Sequence, residues 1–209
     1  MGKVTALKLQ ARNKARVNVF IDGRFAFGLA KIEAARLRLG QELGEADIAR
    51  LQAADAREQV HVRALNLLAR RPRSEGEIRQ YLQKHKVADT DIEKEIDRLR
   101  QSGLVDDQAF ARLWVENRAA FRPRSQRALR AELKRKGVST EVTKAALSQA
   151  DDAASADQLA ARRAKRLAGL PRPEFRRKLG DYLARRGFDS EVVKAAVDKA
   201  WQSLPADDD

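Results

Sequence analysis

The sequence contains no cysteine. That excludes a disulfide framework, thiolate metal sites and thiol catalysis, and it suits a reducing cytosol. Histidine occurs only at His61 and His85, far apart in sequence, so an ordinary zinc site has no ligand set. There is no GxxxxGK[ST] phosphate cradle, and no Gly-rich loop joins a strand to a helix. No catalytic set, metal or cofactor is therefore expected. No run of about 18 uncharged apolar residues occurs, which excludes a membrane-spanning helix. Met1–Gln10 alternates lysine with apolar residues and lacks the apolar centre of a secretory signal. The expectation is a cytoplasmic, monomeric, non-enzymatic protein. Aromatic residues make up only 5% of the chain, which leaves little material for large cores.

Charge, by contrast, is abundant. Among 209 residues, 43 Lys and Arg face 30 Asp and Glu, a formal net charge of +13 with a pI near 10.4. Such a surplus points to a polyanionic partner, nucleic acid first. High charge with few aromatics also moves a chain toward disorder. Here, however, 43% of residues are hydrophobic and fall at helical spacings, which predicts a helix-rich fold with small cores.

The β signal is confined to the start. Arg16–Ile21 alternates and is β-branched, Asp22-Gly23 is a hairpin turn, and Arg24–Phe27 is the return strand. Val4, Leu7 and Leu9 offer a third strand. A hairpin alone is marginal in water, so a helix over Leu29–Leu39 is expected to cover it, ended by Gly40. A long helix then begins near Glu45 or Ala46. Its apolar positions run from Ile48, Leu51 and Ala54 to Val60, Ala64, Leu67 and Leu68, with room for a break between, and it stops at Arg71-Pro72.

Beyond this point the chain repeats. Arg71-Pro72-Arg73-Ser74 recurs as Arg122-Pro123-Arg124-Ser125, and in degenerate form as Arg172-Pro173-Glu174-Phe175. The apolar residues keep register: Ile78, Leu129 and Leu179; Leu82, Leu133 and Leu183; Val87, Val138 and Phe188; Ile96, Leu147 and Val197. Gly137 and Gly187 mark helix ends, and His85-Lys86 stands there in the first copy. The pattern predicts a mainly α protein of three tandem three-helix repeats, an elongated curved body preceded by a small β-hairpin and helix domain. The expected boundaries are 1–45, 46–107, 108–152 and 153–204, with 205–209 an acidic tail.

Several residues invite a chemical reading. Asp106-Asp107 is a conceivable metal pair, but it precedes an apolar helix and is expected to cap it. Ser74 with Glu77 has capping-box spacing, and Ser139 begins a further helix. His85, between two lysines, is expected in a solvated turn. Phe110, Trp114, Phe121 and Trp201 are candidates for stacking on bases, yet their helical spacing assigns them to cores. The basic segments carry the stronger signal. From Arg118 to Lys136 the only acid is Glu132, and from Arg162 to Lys178 the only acid is Glu174. On a helix Arg127, Arg130 and Lys134 form one stripe and Leu129 and Leu133 another, so the segment can bury its leucines and present a cationic row.

The repeats resemble the RecX regulatory proteins of bacteria. The similarity is carried by Ala64–Ile78, by Gly103-Leu104-Val105-Asp106-Asp107-Gln108-Ala109-Phe110-Ala111, and by Leu129-Arg130-Ala131-Glu132-Leu133-Lys134-Arg135-Lys136-Gly137-Val138. The hairpin and Gly40-Gln41-Glu42-Leu43 look like the extension of longer members. The resemblance covers nearly the whole chain and is weakest after about residue 150. It implies a partner, the RecA recombinase filament on single-stranded DNA, whose strand exchange, ATP turnover and SOS coprotease activity such proteins restrain from the filament groove. Arg70, Arg71, Arg73, Arg122, Arg124, Arg127, Arg130 and Lys134 are the residues expected to contact RecA or the DNA backbone. The competing expectation is a stand-alone DNA-binding protein with helix-turn-helix-like modules. The third copy lacks the Arg-Pro-Arg-Ser motif, so it need not share the contacts of the other two.

Overall fold

The computed structural model describes residues 1–204; the expected acidic tail, 205–209, lies outside them. The described residues form two compact units, one of residues 1–72 and 78–104, the other of residues 73–77 together with those from Val105 onward.

The first unit opens with a sheet of β1 (Gly2–Leu9), β2 (Arg16–Ile21), β3 (Arg24–Ala30) and β4 (Glu42–Leu43), antiparallel at each pairing and ordered β3-β2-β1-β4. The β2–β3 turn is Asp22-Gly23, both with positive φ (47° and 80°), the backbone that keeps hairpin strands in register with their twist. Alternate residues Val17, Val19, Phe27 and Leu29 face the core with Val4, Leu37 and Leu43.

The helix expected over Leu29–Leu39 is much shorter. Only α1 (Lys31–Ala34) is helical, and β3 continues to Ala30. Leu29 pairs with Val17 and is fully buried, so sheet registry holds it in the strand. Ile32 and Leu39 are exposed, so the segment lacks a helical apolar face. The cover comes instead from α2 (Glu45–Leu68), which is continuous through the expected break and packs Ile48 and Leu51 on the sheet. Buried Asp55 fastens the two. Its carboxylate accepts from the Arg16 guanidinium (2.9 and 3.2 Å), the Ala30 amide (2.6 Å) and Gln59 (2.7 Å).

The repeats are three-helix modules. The first contains α2, α3 (Glu75–Lys84) and α4 (Asp89–Gln101); the second α5 (Asp107–Phe121), α6 (Gln126–Arg135) and α7 (Thr140–Ala146); the third α8 (Asp152–Ala164), α9 (Arg172–Ala184) and α10 (Ser190–Gln202). Eleven of the twelve register positions are buried, and Val87 is half-buried. The turn after each middle helix needs a left-handed residue. Gly137 (φ 76°) and Gly187 (φ 92°) supply it, and in the first module Lys86 adopts it at φ 59°.

Within the second unit the repeated motifs join successive helices. Ser74 Oγ accepts from the Glu77 amide and donates to the Lys136 carbonyl. Ser125 Oγ accepts from the Ala128 amide, while its own amide donates to the Arg186 carbonyl. Thus the C-terminal turn of one middle helix docks on the N-terminus of the middle helix before it. The aspartate pairs do the same. Asp106 caps α5 through the Gln108 and Ala109 amides, and Asp107 accepts from the Glu75 amide (2.8 Å). Asp151 caps α8, and Asp152 accepts from the Gln126 amide (2.7 Å). Both pairs are consumed by helix N-termini.

Candidate polyanion-binding surface

The surface is built on α6. Its N-cap Ser125 and buried Leu129 and Leu133 fix which side faces inward, leaving Arg127, Arg130 and Lys134 exposed on the other. Arg127 Nη2 donates to the Gly187 carbonyl (3.1 Å), with the exposed Asp189 carboxylate 4.0 Å from its Nη1, and Arg130 donates to the Gln126 side chain (3.0 Å), a neutral partner.

Glu132, the lone acid of this segment, does not dilute the row. It is buried and accepts from Trp114 Nε1 and Arg118 Nε, each at 2.8 Å, and Arg124 Nε lies 3.1 Å away. Arg118 and Lys136 lie over the Trp114 ring at 4.7 and 4.1 Å. One carboxylate and one indole thus organise two arginines and a lysine, and the outer face of α6 carries no acid of its own.

Of the remaining residues singled out, Arg122 is exposed and Arg124 is half-buried against Glu132. Arg73 is also half-buried, 4.0 Å from Glu77, and Glu77 further pairs with Lys136 at 2.9 Å. Arg70 and Arg71 are exposed in the first unit, with Arg71 Nη1 donating to the Pro72 carbonyl. The second unit therefore gathers Arg122, Arg124, Arg127, Arg130 and Lys134; Arg73 is engaged by the packing around Ser74.

Phe110 is buried, and Trp201 sits edge-on to buried Phe175 at 5.0 Å, as core residues should. Phe121 departs from that expectation. It ends α5 with 77% of its surface exposed, because the chain turns at Arg122-Pro123 before the ring finds a core. His85 is a solvated turn residue, its ring tilted at 45° against Tyr81 with Nδ1 2.8 Å from the Tyr81 carbonyl.

A second basic feature forms where three chain segments meet. Phe121, Arg122, Arg162, Arg163, Arg166 and Arg186 line an open cleft of about 190 Å³ around Tyr182, floored by Pro123 and Leu159. The run Arg162–Arg166 was its visible signal, but convergence with Arg122 and Arg186 is a tertiary fact. Among the described residues, no group of three His, Cys, Asp or Glu side chains is arranged to hold a metal ion, and no helix is long and apolar enough to cross a membrane.

Family models assign each part of this architecture. The RecX N-terminal domain matches residues 2–43, and the first, second and third RecX three-helix domains match 62–99, 106–147 and 150–197. The chain belongs to the RecX family. The N-terminal model is that of a regulatory protein. Among curated relatives, the regulatory protein RecX of Listeria monocytogenes serovar 1/2a is 32% identical over 154 residues, covering 73% of this chain and 57% of that protein. RecX of Lactobacillus johnsonii is 32% identical over 151 residues, covering 71% and 55%. The chain thus spans little more than half the length of the curated relatives it matches. A crystal structure of a regulatory protein RecX superposes with a TM-score of 0.74 at 28% identity, covering 95% of this chain and all of the other. RecX from Lactobacillus salivarius shares the fold at 20% identity, TM-score 0.62, over 71% of this chain and 99% of that one.

Proposed function

We propose that this RecX protein binds the RecA filament on single-stranded DNA and lowers its recombinase, ATPase and coprotease activities, acting as a cytoplasmic monomer in DNA repair and the SOS response. The observation that carries the reading is the α6 face, where Arg127, Arg130 and Lys134 point outward while Glu132 is drawn inward. A cationic row without interspersed acids suits the phosphates of a coated strand or an acidic protein groove. Filter retention of labelled single-stranded DNA with and without RecA tests it. The expected result is retention of this chain that depends on RecA at physiological salt.

The alternative, a stand-alone helix-turn-helix protein, would put the N-terminal residues of a recognition helix against base edges. For α6 that end is occupied. The Gln126 amide is bonded to Asp152 and the Ser125 amide to the Arg186 carbonyl. This weighs against α6 entering a groove end-on, and favours phosphate contact along its side. Tight binding to duplex DNA without RecA, falling steeply with salt, would favour the alternative.

A further inference from the structure

We infer that the cleft around Tyr182 is a binding site for single-stranded nucleic acid, in which arginines hold a phosphodiester and Phe121 stacks on the adjoining base. The inference goes beyond the RecA reading and does not depend on it.

Five guanidinium groups converge here from three places in the chain. Arg122 follows α5, Arg162, Arg163 and Arg166 lie at the end of α8, and Arg186 follows α9. Arginines near helix C-termini have an ordinary explanation, because they offset the partial negative charge of the terminal carbonyls. That explanation falls short in magnitude. Each helix end carries about half a negative charge, roughly −1.5 for three, against five full positive charges. The surplus is about 3.5 charges, and among the described residues no carboxylate lines the cleft.

Nor are these side chains engaged in ion pairs within the described fold. Arg163 and Arg186 instead lie over Tyr182, 5.5 and 5.0 Å from its centroid, and Arg186 reaches the Pro123 carbonyl at 3.5 Å. Those contacts orient two guanidinium planes and leave their charge uncancelled. A planar guanidinium presents paired N–H donors that match phosphate oxygens.

The ligand is chosen by Phe121. Its ring is 77% exposed on the cleft rim beside Arg122. An acidic peptide gains little from an open aromatic face, whereas a nucleobase stacks on one, and every base has such a face. The volume of about 190 Å³ admits a phosphodiester with its sugar and leaves the base at the rim, where Phe121 stands. The site is a backbone and stacking site without base-edge readout, so it should accept a strand of any sequence.

The test is fluorescence anisotropy of the full chain with labelled oligothymidylate across a salt series. Two variants are compared, Arg162→Gln/Arg166→Gln and Phe121→Ala, all at exposed positions, with urea midpoints matching wild type as the folding control. The double variant should weaken binding and lower the salt slope by about 1.4, the loss of two single-strand phosphate contacts. Phe121→Ala should weaken binding about fivefold or more with the slope unchanged. Wild-type affinity and slope in both variants would overturn the site. So would displacement of the oligonucleotide by polyglutamate as readily as by unlabelled oligothymidylate, which would make the cleft a site for acidic protein. RecA-dependent ATP hydrolysis, followed on the same samples, separates the two proposals. Intact inhibition with unchanged DNA binding removes the cleft alone, and lost DNA binding with no RecA effect even in wild type removes the regulatory reading alone.

Discussion

Contact geometry requires glycine at position 76, since a Cβ built on Gly76 would lie 2.5 Å from the Lys136 carbonyl oxygen and 2.6 Å from the Gly137 Cα. Both neighbours are backbone and cannot swing aside. Gly76→Ala should therefore cost about 1–3 kcal/mol, the usual penalty of overpacking, although alanine is the better helix former. Urea unfolding reads this as a lowered midpoint. Gly103→Ala is the instructive control: nothing lies within 4 Å, and only its φ of +66° is strained, so the cost should stay near 1–2 kcal/mol. Glu132 is a second residue with a disproportionate role. Glu132→Gln leaves Arg118 and Arg124 without their carboxylate, at an expected cost of about 1–3 kcal/mol, and should change Trp114 fluorescence by removing the negative charge beside its indole N–H. In the sequence Ser74 and Asp106 were legible as capping residues because caps are local. The Lys136 partner of Ser74 and the Glu75 partner of Asp107 were not, because those bonds join residues 62 and 32 positions apart.

At the scale of elements, the repeated hydrogen bonds of Asp107 to Glu75 and Asp152 to Gln126 make equivalent predictions. Asp152→Ala should cost about 1 kcal/mol through the orphaned Gln126 amide, and Asp107→Ala a similar amount through Glu75, both read as urea midpoints. The helix pair α3–α4 adds a dependence on pH. Arg79 holds Glu93 at 2.7 and 2.8 Å, and that hydrogen bond keeps the Glu93 carboxyl below its usual range. A carboxyl whose folded pKa is depressed stabilises the fold above its unfolded value, 4.5, and this contribution is lost as pH falls through the lower folded value. Arg79→Gln should therefore flatten stability against pH below 4.5, modestly because Glu93 is exposed to solvent. The helices themselves were readable from periodicity, since each middle helix sets two apolar residues four apart. The stretch after β3 was not, because Leu29 fits both a helix start and a strand end, and pairing with Val17 decides it.

For the molecule as a whole, the surplus of +13 is resolved into places. Much of the second unit's positive charge stands on the side of α6 and around Tyr182, while Glu132 and the aspartate pairs are turned to internal bonds. The α6 stripe was visible in the sequence because one helix holds it; the arginine cleft needs three chain segments to meet. The regulatory reading is tested most directly by steady-state ATP hydrolysis of RecA on single-stranded DNA, titrated with the wild-type chain and with Arg127→Gln/Arg130→Gln/Lys134→Gln. The account predicts that wild type lowers the rate saturably and that the triple variant, folded to the same urea midpoint, needs at least about tenfold more protein, equivalent to roughly 1.4 kcal/mol of lost contact. A rate unmoved by wild type across the titration, or lowered equally by both proteins, would contradict it.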